Sequence, residues 1–212
     1  MVQPTKINYQ KKLDDIISEL EKSGEKPALL LHSCCAPCSS YTLEYLSKYF
    51  KITVYYYNPN ISPEEEYHKR VREQKRFISM IDPENEISFI EGEYRPEAFY
   101  QAVKGLENVP EGGERCFKCY CLRLESAAAL AAEKGFDYFT TTLSISPYKN
   151  AAKLNETAAE LSGIYNVKNL PSDFKKKNGY KRSIELSAQY GLYRQDYCGC
   201  VFSKKERENA VI

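Results

Sequence analysis

No apolar run in this 212-residue chain approaches the ~20 residues that a membrane-crossing helix needs, so a membrane-spanning reading is excluded. The first residues, Met1-Val2-Gln3-Pro4-Thr5-Lys6, carry none of the apolar core of a secretory signal. The net charge is only +1, which leaves no protein-wide basic field to hold a polyanion. Tryptophan is absent, and so are internal repeats and low-complexity linkers. What is present is a globular composition, 42% hydrophobic and 28% charged, in a chain expected in the cytoplasm. Eight cysteines in a reducing compartment point to metal binding or redox catalysis rather than to a disulfide framework.

Strand-like and helix-like segments alternate. Leu13, Ile16, Ile17 and Leu20 recur at helical spacing in 8–23 and stop at Gly24. A buried strand follows over 27–33, then a helix capped by Ser39 or Ser40 with Leu43, Leu46 and Phe50 inward. A second strand spans 52–57. Ser62-Pro63-Glu64-Glu65 has the pattern of a capping box for a helix with Tyr67, Val71, Ile78 and Ile81 on its inner face. A strand over 87–90 and a short helix over 96–103 lead to a glycine-containing loop, 105–114, that presents the cysteines after it. The spacing then predicts a helix over 122–134, a strand over 138–143, a helix capped by Asn150 with Leu154, Ala158 and Leu161 inward, and a last helix over 183–190. This order implies an α/β fold with a mostly parallel sheet and helices on both faces. One domain over 1–212 is expected, with 165–212 as a helical, cysteine-containing C-terminal extension packed on it. That extension is basic: ten Lys or Arg against five Asp or Glu give a local +5.

The eight cysteines fall into three clusters: Cys34, Cys35 and Cys38; Cys116, Cys119 and Cys121; Cys198 and Cys200. One soft-metal site assembled from separate loops needs such clustering, whereas scattered structural thiols do not. Cys34 and Cys116 stand near loop–helix junctions, where the helix dipole and free backbone N–H groups stabilise thiolates. The first cluster also lies beyond the carboxyl end of a strand, where open α/β sheets bind their ligands. Structural zinc, an iron–sulfur cluster and plain dithiol chemistry all use thiols of this kind. The adjacent pair Cys34-Cys35 fits iron–sulfur ligation better than a zinc knuckle. Cys198-Gly199-Cys200 is close enough for a strained, easily reduced disulfide, or else adds two cluster ligands. The excess of tyrosine, 18 residues, serves amphipathic packing or offers stacking surface for bases. His32 reads as a satisfied core residue, His68 as a solvent-side one, Cys121 as packing, and Asp173 and Asp196 as structural.

Five stretches carry a resemblance that spans most of the chain: Cys34-Cys35-Ala36-Pro37-Cys38; Glu114-Arg115-Cys116-Phe117-Lys118-Cys119; Thr140-Thr141-Thr142-Leu143-Ser144-Ile145-Ser146-Pro147-Tyr148-Lys149-Asn150; Asp173-Phe174-Lys175-Lys176; and Leu192-Tyr193-Arg194-Gln195-Asp196-Tyr197-Cys198-Gly199-Cys200. In this order they resemble the cobalamin-independent epoxyqueuosine reductase family, QueH. The resemblance implies a Rossmann-like fold of the adenine-nucleotide α-hydrolase group, a [4Fe-4S] cluster, and reduction of epoxyqueuosine to queuosine in the anticodon loop of tRNA. Cys34, Cys35, Cys116 and Cys119 match the family's cluster ligands. It further implies an additional mononuclear iron beside the cluster; some members have Asp where Cys38 stands here. ATP-using relatives of the fold have a Ser-Gly-Gly-rich loop after the first strand. Ser33-Cys34-Cys35-Ala36-Pro37 has no glycine in that place, which argues against ATP hydrolysis.

Removing an epoxide oxygen to leave an alkene takes two electrons and two protons. Cys198 and Cys200 are expected as a dithiol relay, and the proton donor is expected among Tyr148, Lys149 and these two thiols. For tRNA contact the candidates are Lys149, Lys175, Lys176, Lys177, Lys181, Arg182 and Arg194, with Tyr148, Tyr180 or Tyr193 offering a ring to stack on the modified base. An external electron donor is required. Two other classes remain open: a dithiol or iron–sulfur oxidoreductase that does not act on nucleic acid, and a zinc-stabilised RNA-binding protein.

Overall fold

The computed structural model describes residues 7–210, so the expectation about residues 1–6 lies outside the described residues. β1 (Ala28–His32), β2 (Lys51–Tyr56), β3 (Ile87–Glu91), β4 (Tyr138–Thr141) and the short β5 (Lys168–Asn169) form one parallel sheet in the order β3-β2-β1-β4-β5. The chain winds outward from β1 in both directions, giving the doubly wound, Rossmann-like α/β arrangement. Its crevice opens where the winding reverses, beyond the carboxyl ends of β1 and β4.

β1 explains how the layers are held. Successive side chains of a strand point to opposite faces. Leu29 and Leu31 pack with Leu13 and Ile17 of α1 (Tyr9–Ser23), Leu43 and Leu46 of α2 (Ala36–Leu46) and Phe77 of α3 (Glu64–Met80). Leu30 faces the other way, with Phe139, onto Leu124, Ala127, Ala128 and Ala131 of α5 (Glu114–Glu133) and Leu154 and Leu161 of α6 (Ala151–Tyr165). Each of these leucines contributes about 1.5–3 kcal/mol by burial. Small alanines on α5 let that helix lie close on the sheet, which fixes the height of its first turns over the crevice.

Several boundaries are where the sequence puts them. Asn8 caps α1 by accepting the Lys11 N–H at 3.0 Å, and Gly24, at φ 73°, ends it. Asn150 caps α6 through the Lys153 N–H at 3.0 Å. Others differ. α2 begins at Ala36, with Cys35 as its N-cap, because Pro37 suits a first turn that needs no N–H; Ser39 and Ser40 sit inside the helix, donating to the Ala36 and Pro37 carbonyls. The expected box at Ser62–Glu65 does not form: Pro63 is the N-cap of α3 without a side-chain cap bond, and Glu64, Glu65 and Glu66 complement the helix dipole instead. The inner face of α3 carries Tyr67, Arg70, Val71, Gln74 and Phe77, while Ile78 and Ile81 are only half-buried.

The largest difference concerns α5, which begins at Glu114, eight positions before the expected start. Cys116, Cys119 and Cys121 are therefore on a helix and not on a loop. β4 ends at Thr141 because the Thr141 hydroxyl accepts the Leu143 N–H and turns the chain into a 3-10 segment, Thr142–Ile145. α4 (Pro96–Ala102) precedes the glycine-containing loop as expected. α7 (Gly179–Gln189) starts earlier than the apolar pattern suggests and packs on α2. α8 (Val201–Ala210), which the sequence pattern did not reveal, follows the last two cysteines. Among the described residues no helix is long and apolar enough to cross a membrane.

Candidate active site

The crevice is built from the three cysteine clusters. At the end of β1 the chain turns through Ser33, and the Cys34 N–H donates to the Thr142 hydroxyl at 3.3 Å, tying the ends of β1 and β4 together. The Cys34, Cys35 and Cys38 sulfurs all lie within 4.8 Å of one another, with Cys34 and Cys35 3.8 Å apart. Hydrogen bonds from Cys35 and Cys38 push the Cys34 thiol well below its ordinary pKa, with further help from the Arg123 charge. The Cys35 thiol, which supplies one of those bonds, is pushed up to about 12, and Cys38 also moves up. Three sulfurs this close, with Cys34 the most readily deprotonated, form a donor group able to bind a soft metal.

α5 forms the opposite wall. Cys116 and Cys119, three positions apart, share one helix face, and the Gly112 N–H donates to the Cys116 sulfur at 3.3 Å. Burial pushes both thiols up. Cys121 faces away from them and is half-buried against the surface.

The third cluster closes the site. Cys198 and Cys200 are free thiols with sulfurs 3.6 Å apart. The Ser203 N–H donates to the Cys200 sulfur at 3.3 Å, so the start of α8 shapes this turn. A hydrogen bond from Cys200 lowers the Cys198 thiol to about 5, against burial and with support from Lys149, while Cys200 moves up. Cys34, Cys38, Cys116, Cys119, Cys198 and Cys200 line one cavity of about 160 Å³, and Cys35 lies buried behind it.

Two buried cations flank the sulfurs. Arg123 follows Cys119 by one helical turn and is 4% exposed. Its guanidinium donates to His32 Nε2 at 3.3 Å and to Asn58 Oδ1, and approaches the Cys119 sulfur at 3.9 Å. Among the described residues no carboxylate pairs with it. Burial disfavours its charge, and the Cys119 and Cys34 sulfurs lead the groups that retain it. Lys149, the second cation, is paired with Glu111 at 3.0 Å; burial opposes its charge, yet Cys198, Tyr120 and Glu111 hold its pKa above the ordinary lysine value. Glu111 Oε2 accepts the Ser203 hydroxyl at 2.9 Å, linking this pair to α8.

His32 is the core residue the sequence suggests. It is fully buried, bonded to the Thr141 hydroxyl at 2.8 Å and to Arg123, and burial pushes its pKa down to about 3. Its nitrogens are engaged and do not serve a metal. His68 is exposed on α3.

A donor set of cysteine sulfurs with no available imidazole fits a thiolate-bound metal group. An unpaired guanidinium buried among those sulfurs fits it better still, because a buried charge is costly without an opposite charge beside it.

The basic residues separate into two groups. Lys175 pairs with Asp173 at 2.9 Å, Lys177 with Asp14 at 2.6 Å, and Arg182 with Glu44 at 2.6 Å, so their charges are largely met within the chain. Lys176, Lys181 and Arg194 are exposed, and Arg194 lines the cavity. Tyr148 is 64% exposed at the rim, with Arg207 of α8 5.4 Å from its ring. Tyr180 also lines the cavity, whereas the Tyr193 hydroxyl bonds Glu66 at 3.2 Å on the far side.

Sequence reasoning missed Arg70, Glu111, Arg123 and Arg207. Arg123 had a readable signal: on a helix through Cys119 it falls on the same face, among alanines and leucines.

Comparison with known proteins agrees with this geometry. The family profile of epoxyqueuosine reductase QueH matches residues 29–206. The chain is 50% identical over 202 residues to the epoxyqueuosine reductase QueH of Staphylococcus epidermidis, covering 93% of this chain and 85% of that protein. It is 46% identical over 202 residues to that of Streptococcus pyogenes, covering 94% and 79%, and 35% identical over 185 residues to that of Thermotoga maritima, covering 84% and 91%. With the profile covering all three cysteine clusters and identities well above those of shared fold alone, this chain belongs to the epoxyqueuosine reductase QueH family.

Proposed function

We infer that this chain is an epoxyqueuosine reductase, converting epoxyqueuosine in the tRNA anticodon loop to queuosine. The observation that carries the chemistry is the convergence of three thiol clusters on one cavity around Arg123, a buried cation with no carboxylate partner. Cys34, Cys35, Cys116 and Cys119 would hold a [4Fe-4S] cluster, and Cys38, beside Cys34 and Cys35, would bind the additional iron. When bound, such a group supplies electron transfer and a Lewis acid for oxygen.

The chain's own residues account for the balance of the reaction. Cys198 and Cys200 lose two electrons and two protons as their S–S bond forms; the epoxide takes up both, loses its oxygen as water, and becomes an alkene. An external donor then reduces the disulfide. Lys149, held by Glu111 against the Cys198 thiol, keeps an N–H donor facing the departing oxygen. Tyr148 and Tyr180 offer rings at the rim for the modified base, and exposed Lys176, Lys181, Arg194 and Arg207 meet the tRNA backbone. A tRNA substrate supports a cytoplasmic location.

The test is anaerobic purification with iron and sulfide quantification, followed by assay on an anticodon stem-loop containing epoxyqueuosine. A coloured, iron- and sulfide-containing chain that forms queuosine is expected. A colourless, zinc-loaded chain with full activity would overturn the cofactor, and an unchanged RNA would overturn the reaction. The double variant Cys198→Ser/Cys200→Ser should keep the cluster spectrum and lose turnover; loss of the spectrum would make these thiols ligands and sink the relay.

A further inference from the structure

The turn Cys198-Gly199-Cys200 does not rest on its own residues. Its outer face lies against Arg70 of α3, a side chain 2% exposed. The Arg70 Nε donates to Glu66 Oε1 at 2.7 Å, its Nη1 donates to the Cys198 carbonyl at 3.3 Å, and the Tyr197 ring stands 5.3 Å from the guanidinium. The third nitrogen, Nη2, is buried with no hydrogen-bond partner. An unpartnered N–H on a buried guanidinium is expensive, so a group that accepts from it is to be expected in the working protein.

Gly199 shows how close the contact is. Its φ is +114°, and a Cβ there would stand 3.1 Å from Arg70 Nη1 and 2.8 Å from Ile61 Cγ1. Only glycine lets the turn reach Arg70 in this conformation. The Ser62 N–H donates to the Gly199 carbonyl at 2.9 Å, so the turn is pinned at two consecutive carbonyls.

We propose that Arg70 is a positioning residue for the Cys198-Gly199-Cys200 turn: its Nη1 anchors the Cys198 carbonyl while its Nε is held by Glu66 of the same helix. Anchored in this way, the Cys198-Cys200 couple is held toward the dithiol that the reaction consumes. Releasing the anchor lets the turn relax and makes the disulfide easier to form. This inference rests on the dithiol reading given under Proposed function.

The experiment is a titration of the full-length chain, purified anaerobically, with mixtures of reduced and oxidised glutathione. In the exchange the two thiols form one S–S bond while glutathione disulfide takes two electrons and two protons to give two glutathione thiols. Alkylation and mass spectrometry read the fraction of Cys198–Cys200 disulfide. In Arg70→Gln the equilibrium should move toward the disulfide by at least tenfold, a lowering of the potential by about 30 mV. Arg70→Lys keeps the charge but cannot reach both Glu66 and the Cys198 carbonyl, so it should stay shifted. Glu66→Gln, which leaves Arg70 in place but weakens its Nε anchor, should move the same way by a smaller factor, and carries the test if Arg70→Gln fails to fold. Unchanged constants in these variants would overturn the proposal, as would full restoration by Arg70→Lys, because charge alone would then suffice. If the unmodified chain forms no Cys198–Cys200 disulfide at any ratio, the relay reading itself fails, whatever Arg70 does.

Discussion

Replacing Arg123 by Met should separate the needs of the fold from the needs of the bound group. The substitution removes the donor from the buried Asn58 Oδ1, whereas His32 Nε2, also 3.1 Å from the Tyr57 carbonyl, can carry its proton and donate there instead. The orphaned acceptor costs about 1–3 kcal/mol. It also relieves the burial of a guanidinium that has no carboxylate beside it, and that penalty is on the order of several kcal/mol. The two effects oppose one another, and the flexible Met stem fills most of the vacated space. The metal-free chain should therefore keep its stability to within about 2 kcal/mol, a melting shift of under about 8 °C for a domain of this size. Retention of the proposed cluster should behave differently. In that proposal the thiolates of Cys34 and Cys119 and the sulfides they would hold lose the cation that faces them, so iron and sulfide per chain should fall severalfold after gel filtration under anaerobic conditions. Thermal unfolding of the metal-free protein and iron and sulfide analysis of the loaded protein together make the assay. Wild-type iron and sulfide content in Arg123→Met would refute the reasoning, because the cation would then have no anion to serve.

Other expectations follow from the same contacts. Leu31→Ala empties a fully buried position between α1, α2 and the sheet, and should cost about 2–5 kcal/mol in denaturant unfolding. Arg194→Ala or Arg207→Ala should lower the slope of log K against log salt for tRNA binding by about 0.7–1, whereas Lys177→Ala and Arg182→Ala, whose charges meet Asp14 and Glu44, should leave the slope nearly unchanged. Glu73 bonds Arg76 and accepts the Tyr193 N–H, and the Arg76 bond leads in lowering its pKa. Its folded pKa thus lies below its unfolded value of about 4.3, so its contribution is complete above that pH and is lost as pH falls through the folded value. Acid unfolding curves of Glu73→Gln should accordingly converge on wild type at low pH and fall below it near neutrality.

Much of the fold could be read from periodicity and caps. Asn8, Gly24 and Asn150 signal their helix ends by chemistry local to a few residues, and the apolar run before Cys34 signals a strand buried on both faces. Where the reading failed, tertiary contacts override local pattern. Ser39 and Ser40 look like caps, but their hydroxyls bond inside α2, and Ser39 also reaches Gln74 of α3 at 3.0 Å. The start of α5 was missed because Arg115 in its first turn is charged yet buried, its guanidinium meeting Glu206 and the Glu107 carbonyl, which hides the apolar face there. The cysteines themselves were legible as a set, since only a shared site explains their clustering. Their cationic partners were less so: Arg123 follows Cys119 by one helical turn, but Arg70 has no such neighbour and emerges only when α3 is placed against the Cys198 carbonyl. The basic C-terminal segment shows the converse. Its charges are plain in the sequence, but Asp14 and Glu44, distant along the chain, neutralise Lys177 and Arg182.

The most direct test of the central claim is a single-turnover reaction between the reduced, cluster-loaded chain and an epoxyqueuosine-containing anticodon stem-loop, with no external reductant, scored by mass spectrometry of both partners. The account predicts that each RNA losing one oxygen is matched by one Cys198–Cys200 disulfide. Deoxygenated RNA with both thiols still free, or a disulfide with the RNA unchanged, would contradict it.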